Sequence, residues 1–277
     1  MRWAAAARAA AALLPRARHP PALLPPPRAA LRRALLQNRI LKSPVVAHAF
    51  RCVDRGAFMM SCAGRRQRPP PPPPVPRPAC TRARVLRRPP QVEAKDAYLD
   101  RPSPIGYGQT ISAPHMHAAA AEKLLERFQG RAAEPLRVLD VGSGSGFLTA
   151  VLAFALPHAF VIGVDVIPGL VSQSLANFNK SPATAALIAS GRVRFHAGDG
   201  WAGYPPAAPF DLIHVGAAAE TLPAALVAQL RPGGRLVCPV GVYSQQLVCV
   251  DKGADGGVVQ RELMPVVFVP LVRTTAG

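Results

Sequence analysis

Arg137-Val-Leu-Asp-Val-Gly-Ser-Gly-Ser-Gly146, followed by Phe147-Leu-Thr-Ala-Val-Leu-Ala-Phe-Ala155, reads as a buried strand that passes through a glycine turn into a helix. Gly142, Gly144 and Gly146 suit a turn that is tight and whose backbone approaches a ligand over the helix N-terminus. Outward from this unit, apolar runs of strand length recur at 160–165, 193–197, 211–215 and 234–240, with helical stretches between them. That alternation predicts an α/β fold, a doubly wound and mainly parallel sheet. The runs 245–250 and 262–269 are joined by the turn-rich DKGADGG with no helix between, which predicts an antiparallel hairpin closing one edge.

Asp165 ends the second strand, 19 residues after Gly146, where a carboxylate can accept hydrogen bonds from both hydroxyls of a ribose. Asp199, in Gly198-Asp199-Gly200 after the third strand, can meet an adenine amino group; the competing reading is a turn aspartate. With Asp140, three acids end three successive strands around one crevice. A dinucleotide site would ask for G-x-G-x-x-G, and Phe147 stands beyond a G-x-G-x-G instead. The acidic crevice therefore favours S-adenosyl-L-methionine, whose sulfonium suits such a pocket, over NAD. His115 and His117 are two apart and face different ways on a helix, so no shared metal is expected.

The rest of the chain has another texture. Residues 1–92 hold 19 of the 33 Lys/Arg and 17 of the 32 Pro but one of the 15 acids, Asp54, so the net charge of +18 belongs to this third. Basicity confined to a low-complexity region gives no reason to expect nucleic acid as a partner of the folded remainder. Residues 1–34, rich in Ala, Arg, Leu and Pro, read either as an organelle-targeting segment or as a disordered extension. Residues 35–58 carry apolar spacing for two short helices broken at Ser43-Pro44. Residues 59–92, with six consecutive prolines at 69–74, read as a disordered Pro/Arg-rich insertion ahead of a domain over 93–277. No apolar run reaches about 18 residues, so no membrane association is expected. Five cysteines without a C-x-x-C pair point to a reducing compartment rather than a disulfide framework or a zinc site.

The segments PIGYGQTISAPHMH (104–117), LDVGSGSG, VIGVD, GDG, DLIHVGAAAE and LRPGGRLVCPVG, in this order, resemble the protein-L-isoaspartate (D-aspartate) O-methyltransferase family over about residues 96–272. The stretch ILKSPVVAHAFRCVDRGAF is similar to that family's N-terminal helical segment. The resemblance implies a Rossmann-like class I methyltransferase that moves a methyl group from S-adenosyl-L-methionine, leaving S-adenosyl-L-homocysteine, to the carboxylate of isoaspartyl (and D-aspartyl) residues. Damaged proteins and peptides would be the partners, the chain a monomer, and the compartment the cytoplasm by family default, or a mitochondrion or plastid through residues 1–34. It assigns Ser112 and Thr110 as catalytic, and Gln109, Ile111, His214, Gly216 and Ala217 to substrate. His117, Asp140, Gly142, Gly144, Ser145, Gly146, Asp165, Val166, Asp199 and Gly200 fall on the cofactor side. Where the family commonly ends Val-Pro-Leu-Thr, this chain has Val269-Pro270-Leu271-Val272 and lacks that hydroxyl.

The chemistry is consistent with that expectation. An isoaspartyl carboxylate of pKa about 4 is ionised near neutrality and needs no general base. What remains is to hold oxygen, carbon and sulfur in line at about 3–3.5 Å, an orientation effect worth roughly 7–11 kcal/mol. Hydroxyls and N–H groups such as those of Thr110 and Ser112 can hold a carboxylate without a counter-charge. A competing reading makes Ser112 the cap of the helix that follows it. Other readings are a methyltransferase for another acceptor, or a cofactor-binding protein with impaired catalysis whose proline run meets proline-recognising partners.

Overall fold

The structure, a computed structural model, describes residues 26–59, 94–128, 130–131 and 134–273. The greater part of the predicted extension (1–25) and nearly all of the predicted insertion (60–92) lie outside the described residues. In chain order the elements are α1 (Pro26–Gln37), α2 (Pro44–Cys52), 3-10 turns at Arg55–Phe58 and Ala94–Tyr98, β1 (Ser103–Gly106), β2 (Gln109–Ile111), α3 (Pro114–Glu126), β3 (Arg137–Val141), α4 (Phe147–Ala155), β4 (Phe160–Asp165), α5 (Pro168–Phe178), α6 (Pro182–Ala189), β5 (Val193–Ala197), β6 (Phe210–Val215), α7 (Ala224–Gln229), β7 (Leu230–Val240), β8 (Gln245–Lys252) and β9 (Val258–Val266).

Seven strands form one sheet in the order β5-β4-β3-β6-β7-β8-β9. β5 through β7 run parallel, and β8 and β9 add on antiparallel. The chain leaves β3 toward β4 and β5 on one side and returns to β6 and β7 on the other, so a topological switch point lies beside β3. The strand period of two sorts side chains between layers. Val138, Val161 and Leu212 join the core under α2, α3, α4 and α5, while Leu139, Ile162 and Ile213 join a second core with Leu226 of α7. Arg235 on β7 is buried and forks onto Asp251 of β8 at 2.7 and 2.9 Å, and its Nη1 donates to the Lys123 carbonyl at 2.8 Å, which ties the antiparallel part to α3.

The N-terminal segment packs on the first core. α1 begins at Pro26, which corrects the boundary expected at residue 34. Leu31 and Leu35 lie one turn apart and turn a stripe toward the core, a signal masked by the surrounding Ala, Arg and Pro. The predicted break before α2 is present, with Ser43 Oγ accepting from Val46 N–H as its N-cap. Phe50 and Phe58 meet Phe147 edge-on, with centroids 5.9 and 5.8 Å apart; Phe58 also meets Phe178 at 5.7 Å, and Phe178 meets Phe195 at 5.1 Å. The second hairpin strand ends at Val266, earlier than expected, because the chain beyond it leaves the sheet: Ala218 N–H donates to Val269 O and Leu271 N–H to Ala218 O.

Phe147 is therefore the ring that both Phe50 and Phe58 of the N-terminal segment meet. Phe147→Ala is expected to lower the unfolding free energy by about 3–5 kcal/mol in urea titration; a loss under about 1 kcal/mol would show that these ring contacts hold nothing together.

Candidate active site

Between β3 and α4 the backbone turns through three left-handed glycines, with φ of 68° at Gly142, 54° at Gly144 and 82° at Gly146. A Cβ on Gly146 would also stand 3.1 Å from both Phe178 and Phe195. Asp165, at the end of β4 and 7% exposed, holds this turn: its Oδ2 accepts Gly144 N–H at 2.9 Å and its Oδ1 accepts Ile167 N–H at 3.0 Å. Burial pushes its carboxyl above the ordinary aspartate value, while these two N–H groups pull it down. Hydroxyl donors reaching the remaining lone pairs would favour the ionised form further.

Three compartments meet at this switch point. An inner one of about 520 Å³ is lined by Ile111, His117, Asp140, Ser143, Ser145 and His214. A second, about 730 Å³, is lined by Gln109, Asp165, Val166, Leu170, Gly200 and Leu271. An outer groove of about 1240 Å³ opens between Ser112, Met116, Val266 and Phe268. Thr110 and Gly216 line all three. Gly216 has no room for a side chain, since a Cβ there would lie 2.8 Å from Gly142 O.

In the inner compartment, Asp140 is 1% exposed and both its oxygens are engaged, Oδ2 by Thr149 Oγ1–H and Oδ1 by His214 Nδ1 at 2.8 Å. A carboxylate only accepts, so the shared proton sits on Nδ1 and the ring orientation of His214 is set from behind. His117 packs its ring on Phe147 at 5.2 Å, and its Nδ1 is buried without a partner, as is Ser143 Oγ. Two orphaned polar atoms beside the glycine turn, next to a compartment with an ordered carboxylate, fit a nucleoside that carries a polar amino-acid tail. Among the described residues no group of three or more His, Cys, Asp or Glu is set to hold a metal ion. His115 points to Asp100, with both its backbone N and its Nδ1 2.9 Å from Oδ1.

Most predicted site residues thus converge, with four changes of place. Asp199 is not on the lining of the compartments, and its Oδ1 accepts Trp201 N–H at 2.8 Å, while Gly200 beside it forms the wall. Asp140 lines the inner compartment, but both its oxygens are taken by Thr149 and His214. Gln109 and Ala217, expected on the substrate side, line the second compartment with Asp165. Ser112 is no helix cap: the N-cap of α3 is Ala113, which offers no side-chain oxygen, and Ser112 lies between the inner compartment and the groove. Not foreseen were Leu170 of α5 and Phe268 of the C-terminal tail. Each is an ordinary apolar residue until the fold brings it to the cleft.

The doubly wound sheet, the glycine turn and the cleft at its switch point define a Rossmann-like methyltransferase. The family model for protein-L-isoaspartate(D-aspartate) O-methyltransferase matches residues 84–276. A wheat (Triticum aestivum) protein-L-isoaspartate O-methyltransferase is 49% identical over 180 residues, 65% of this chain and 76% of its own length. Protein-L-isoaspartate O-methyltransferase 1 of Arabidopsis thaliana is 41% identical over 243 residues, 87% of this chain and 90% of its own. A crystal structure of a Plasmodium falciparum protein described as this methyltransferase, in complex with S-adenosyl-L-homocysteine, superposes with a TM-score of 0.67 at 27% identity, covering 88% of this chain and 98% of that one. The chain belongs to the protein-L-isoaspartate (D-aspartate) O-methyltransferase family, and its activity is methyl transfer to the carboxylate of isoaspartyl residues.

Burial, with Arg55, His214 and His115 nearby, holds His117 well below the ordinary histidine value. The unfolded chain therefore binds a proton there below about pH 6.5 that the folded chain refuses, and stability is lost as pH falls from that value toward the depressed one. Urea midpoints at pH 7.5 and 5.0 should differ more for the wild type than for His117→Gln; equal differences would show that His117 is free to titrate.

Proposed function

We propose a division of labour among the three compartments for this methyl transfer. The second compartment takes the nucleoside, with Asp165 receiving ribose hydroxyls on the lone pairs its two backbone donors leave free, and Val166, Leu170 and Leu271 against the base. The inner compartment takes the amino-acid tail, offered the unpaired His117 Nδ1 and Ser143 Oγ. The outer groove takes the isoaspartyl segment. When bound, S-adenosyl-L-methionine supplies a methyl group on a positively charged sulfur. The observation that carries the reading is that Thr110 and Gly216 border all three spaces, so that a carboxylate entering from the groove meets the other two compartments at that point and nowhere else on the lining.

Ser112 and Thr110 then orient the carboxylate with hydroxyl and backbone donors. Neither adds a full positive charge that would blunt the nucleophile. His214, aimed by Asp140, bounds the same inner space. Val272 lines the second compartment with an apolar side chain, so the hydroxyl missing at this position is absent from the nucleoside side of the cleft.

For the assembly we propose a monomer, supported by the outer edge of the sheet: β9 exposes Arg261 and Glu262 and carries Pro265, features that discourage edge pairing. For the compartment we propose a reducing one, supported by Cys52, Cys238 and Cys249, which are free thiols. Among the described residues no helix is long and apolar enough to cross a membrane.

Labelled S-adenosyl-L-methionine incubated with an isoaspartyl peptide and its normal aspartyl twin should mark the first alone; equal labelling of both would overturn the substrate reading. Asp165→Ala removes a charged acceptor worth about 1.5–3 kcal/mol, so S-adenosyl-L-homocysteine should bind about ten-fold or more weakly by calorimetry. Ser112→Ala should slow turnover while leaving that affinity and the thermal midpoint unchanged, since the residue caps nothing; a fall in stability with an unchanged rate would return it to a structural role.

A further inference from the structure

A second cavity shares no lining residue with the cleft. It lies between α1, α2 and the two 3-10 turns, and Arg28, Arg32, Arg55, Tyr98 and Phe147 line it. Arg28 and Arg32 are four apart on α1 and so share a face, although like charges at that spacing repel. Arg55 follows Asp54, which caps the first 3-10 turn, and is only 3% exposed.

Among the described residues the counter-charges around these arginines are few, and their oxygens are engaged. Arg28 Nη1 is 3.8 Å from Asp54 Oδ2, and its Nη2 donates to the Arg51 carbonyl at 2.6 Å. Asp54 Oδ1 already accepts Tyr98 O–H at 2.7 Å and Gly56 N–H at 3.0 Å. Asp100, whose charge acts on Arg55, is bound to His115, and Asp96 is paired with Arg101 at 3.4 Å. Arg55 keeps one long bond, Nη2 to the Arg101 carbonyl at 3.4 Å, and stands 5.7 Å from the centroid of Phe147. Among the described residues, Arg28 Nε, Arg32 Nε, Arg55 Nε and Arg55 Nη1 are all buried with no acceptor.

Buried donors are almost always paired, and an uncompensated buried guanidinium is among the costliest exceptions. Four such donors on the three arginines of one cavity mark the place of a missing acceptor. Burial also lowers Arg55 to about 10, as expected of a cation short of counter-charge. Three guanidiniums face Asp54, with the charge of Asp100 also acting on Arg55, so positive charge is left in excess. Guanidinium forks match the oxygens of phosphate and carboxylate, and an anion matches this excess of positive charge.

We propose that this cavity is a binding site for an oxyanion such as phosphate, which fastens α1 to the Asp54-Arg55 turn. It is independent of the methyl-transfer reading, and its test measures binding and stability rather than turnover. The full chain would be melted at constant ionic strength in chloride, inorganic phosphate or O-phospho-L-serine, and phosphate titrated by calorimetry. Phosphate should raise the melting temperature saturably where chloride does not, and Arg32→Ala, at a partly exposed helix position, should weaken its affinity about ten-fold or more. Arg55→Lys should weaken it as well, keeping a charge but losing the fork. A shift with phosphate alone supports a site for the free ion; a shift with both ligands supports one that also accepts a phosphomonoester. A shift no larger than that in chloride, or one unchanged by Arg32→Ala, overturns the proposal.

Discussion

A carboxylate on one strand holds the backbone that leaves the next. Asp165 Oδ2 accepts the Gly144 N–H, and Gly142 and Ser143 donate their own N–H groups to Val164 O just before it on β4. These bonds fix a turn that only left-handed glycines can make, and so place Ser143 Oγ, Ser145 and the start of α4 around one cleft. A side chain at 146 would meet Phe178 and Phe195, and one at 216 would meet the turn itself, so the cleft is bounded on two sides by positions without tolerance for substitution. Precise backbone placement is what an orientation-limited reaction requires.

The same turn decides how the rest of the chain attaches. A dinucleotide fingerprint would call for glycine further along, where helix and strand pack closely. Phe147 instead turns outward as the landing ring for Phe50 and Phe58, and it also carries the imidazole of His117 and the guanidinium of Arg55. The N-terminal helices and the inner compartment therefore share one aromatic side chain. A shift of that ring is felt on both sides because close-packed interiors transmit displacement.

Around the point where the compartments meet, neutral donors outnumber free charges. Both oxygens of Asp140 are taken by Thr149 and His214, and His117 is kept unprotonated by burial and by positive neighbours. An incoming carboxylate faces hydroxyls, backbone and the rings of His117 and His214, with no lysine or arginine on the lining to blunt its charge.

The glycine spacing, the strand-length apolar runs and the terminal hairpin were legible in the chain because each is a local pattern: a turn needing positive φ, a period of two, a connection too short for a helix. Asp165 was legible for the same reason, standing at a strand end at a set distance from the turn. The segment 109–117 was legible as a family pattern, although its serine could not be told from a helix cap until α3 was seen to start at Ala113. Long-range partners were not legible. Asp199 and Asp140 look alike on paper, yet one is spent on Trp201 two residues away and the other on Thr149 and His214, the latter 74 residues distant. The outer wall made by Phe268 and Leu271 exists because the chain after β9 bonds to Ala218, and α1 is a helix of the core because Leu31 and Leu35 find a surface there. Sequence determined the elements and the cofactor turn, whose causes lie within a few residues; tertiary structure decided which polar groups were already satisfied, because each partner is brought by a different strand or helix.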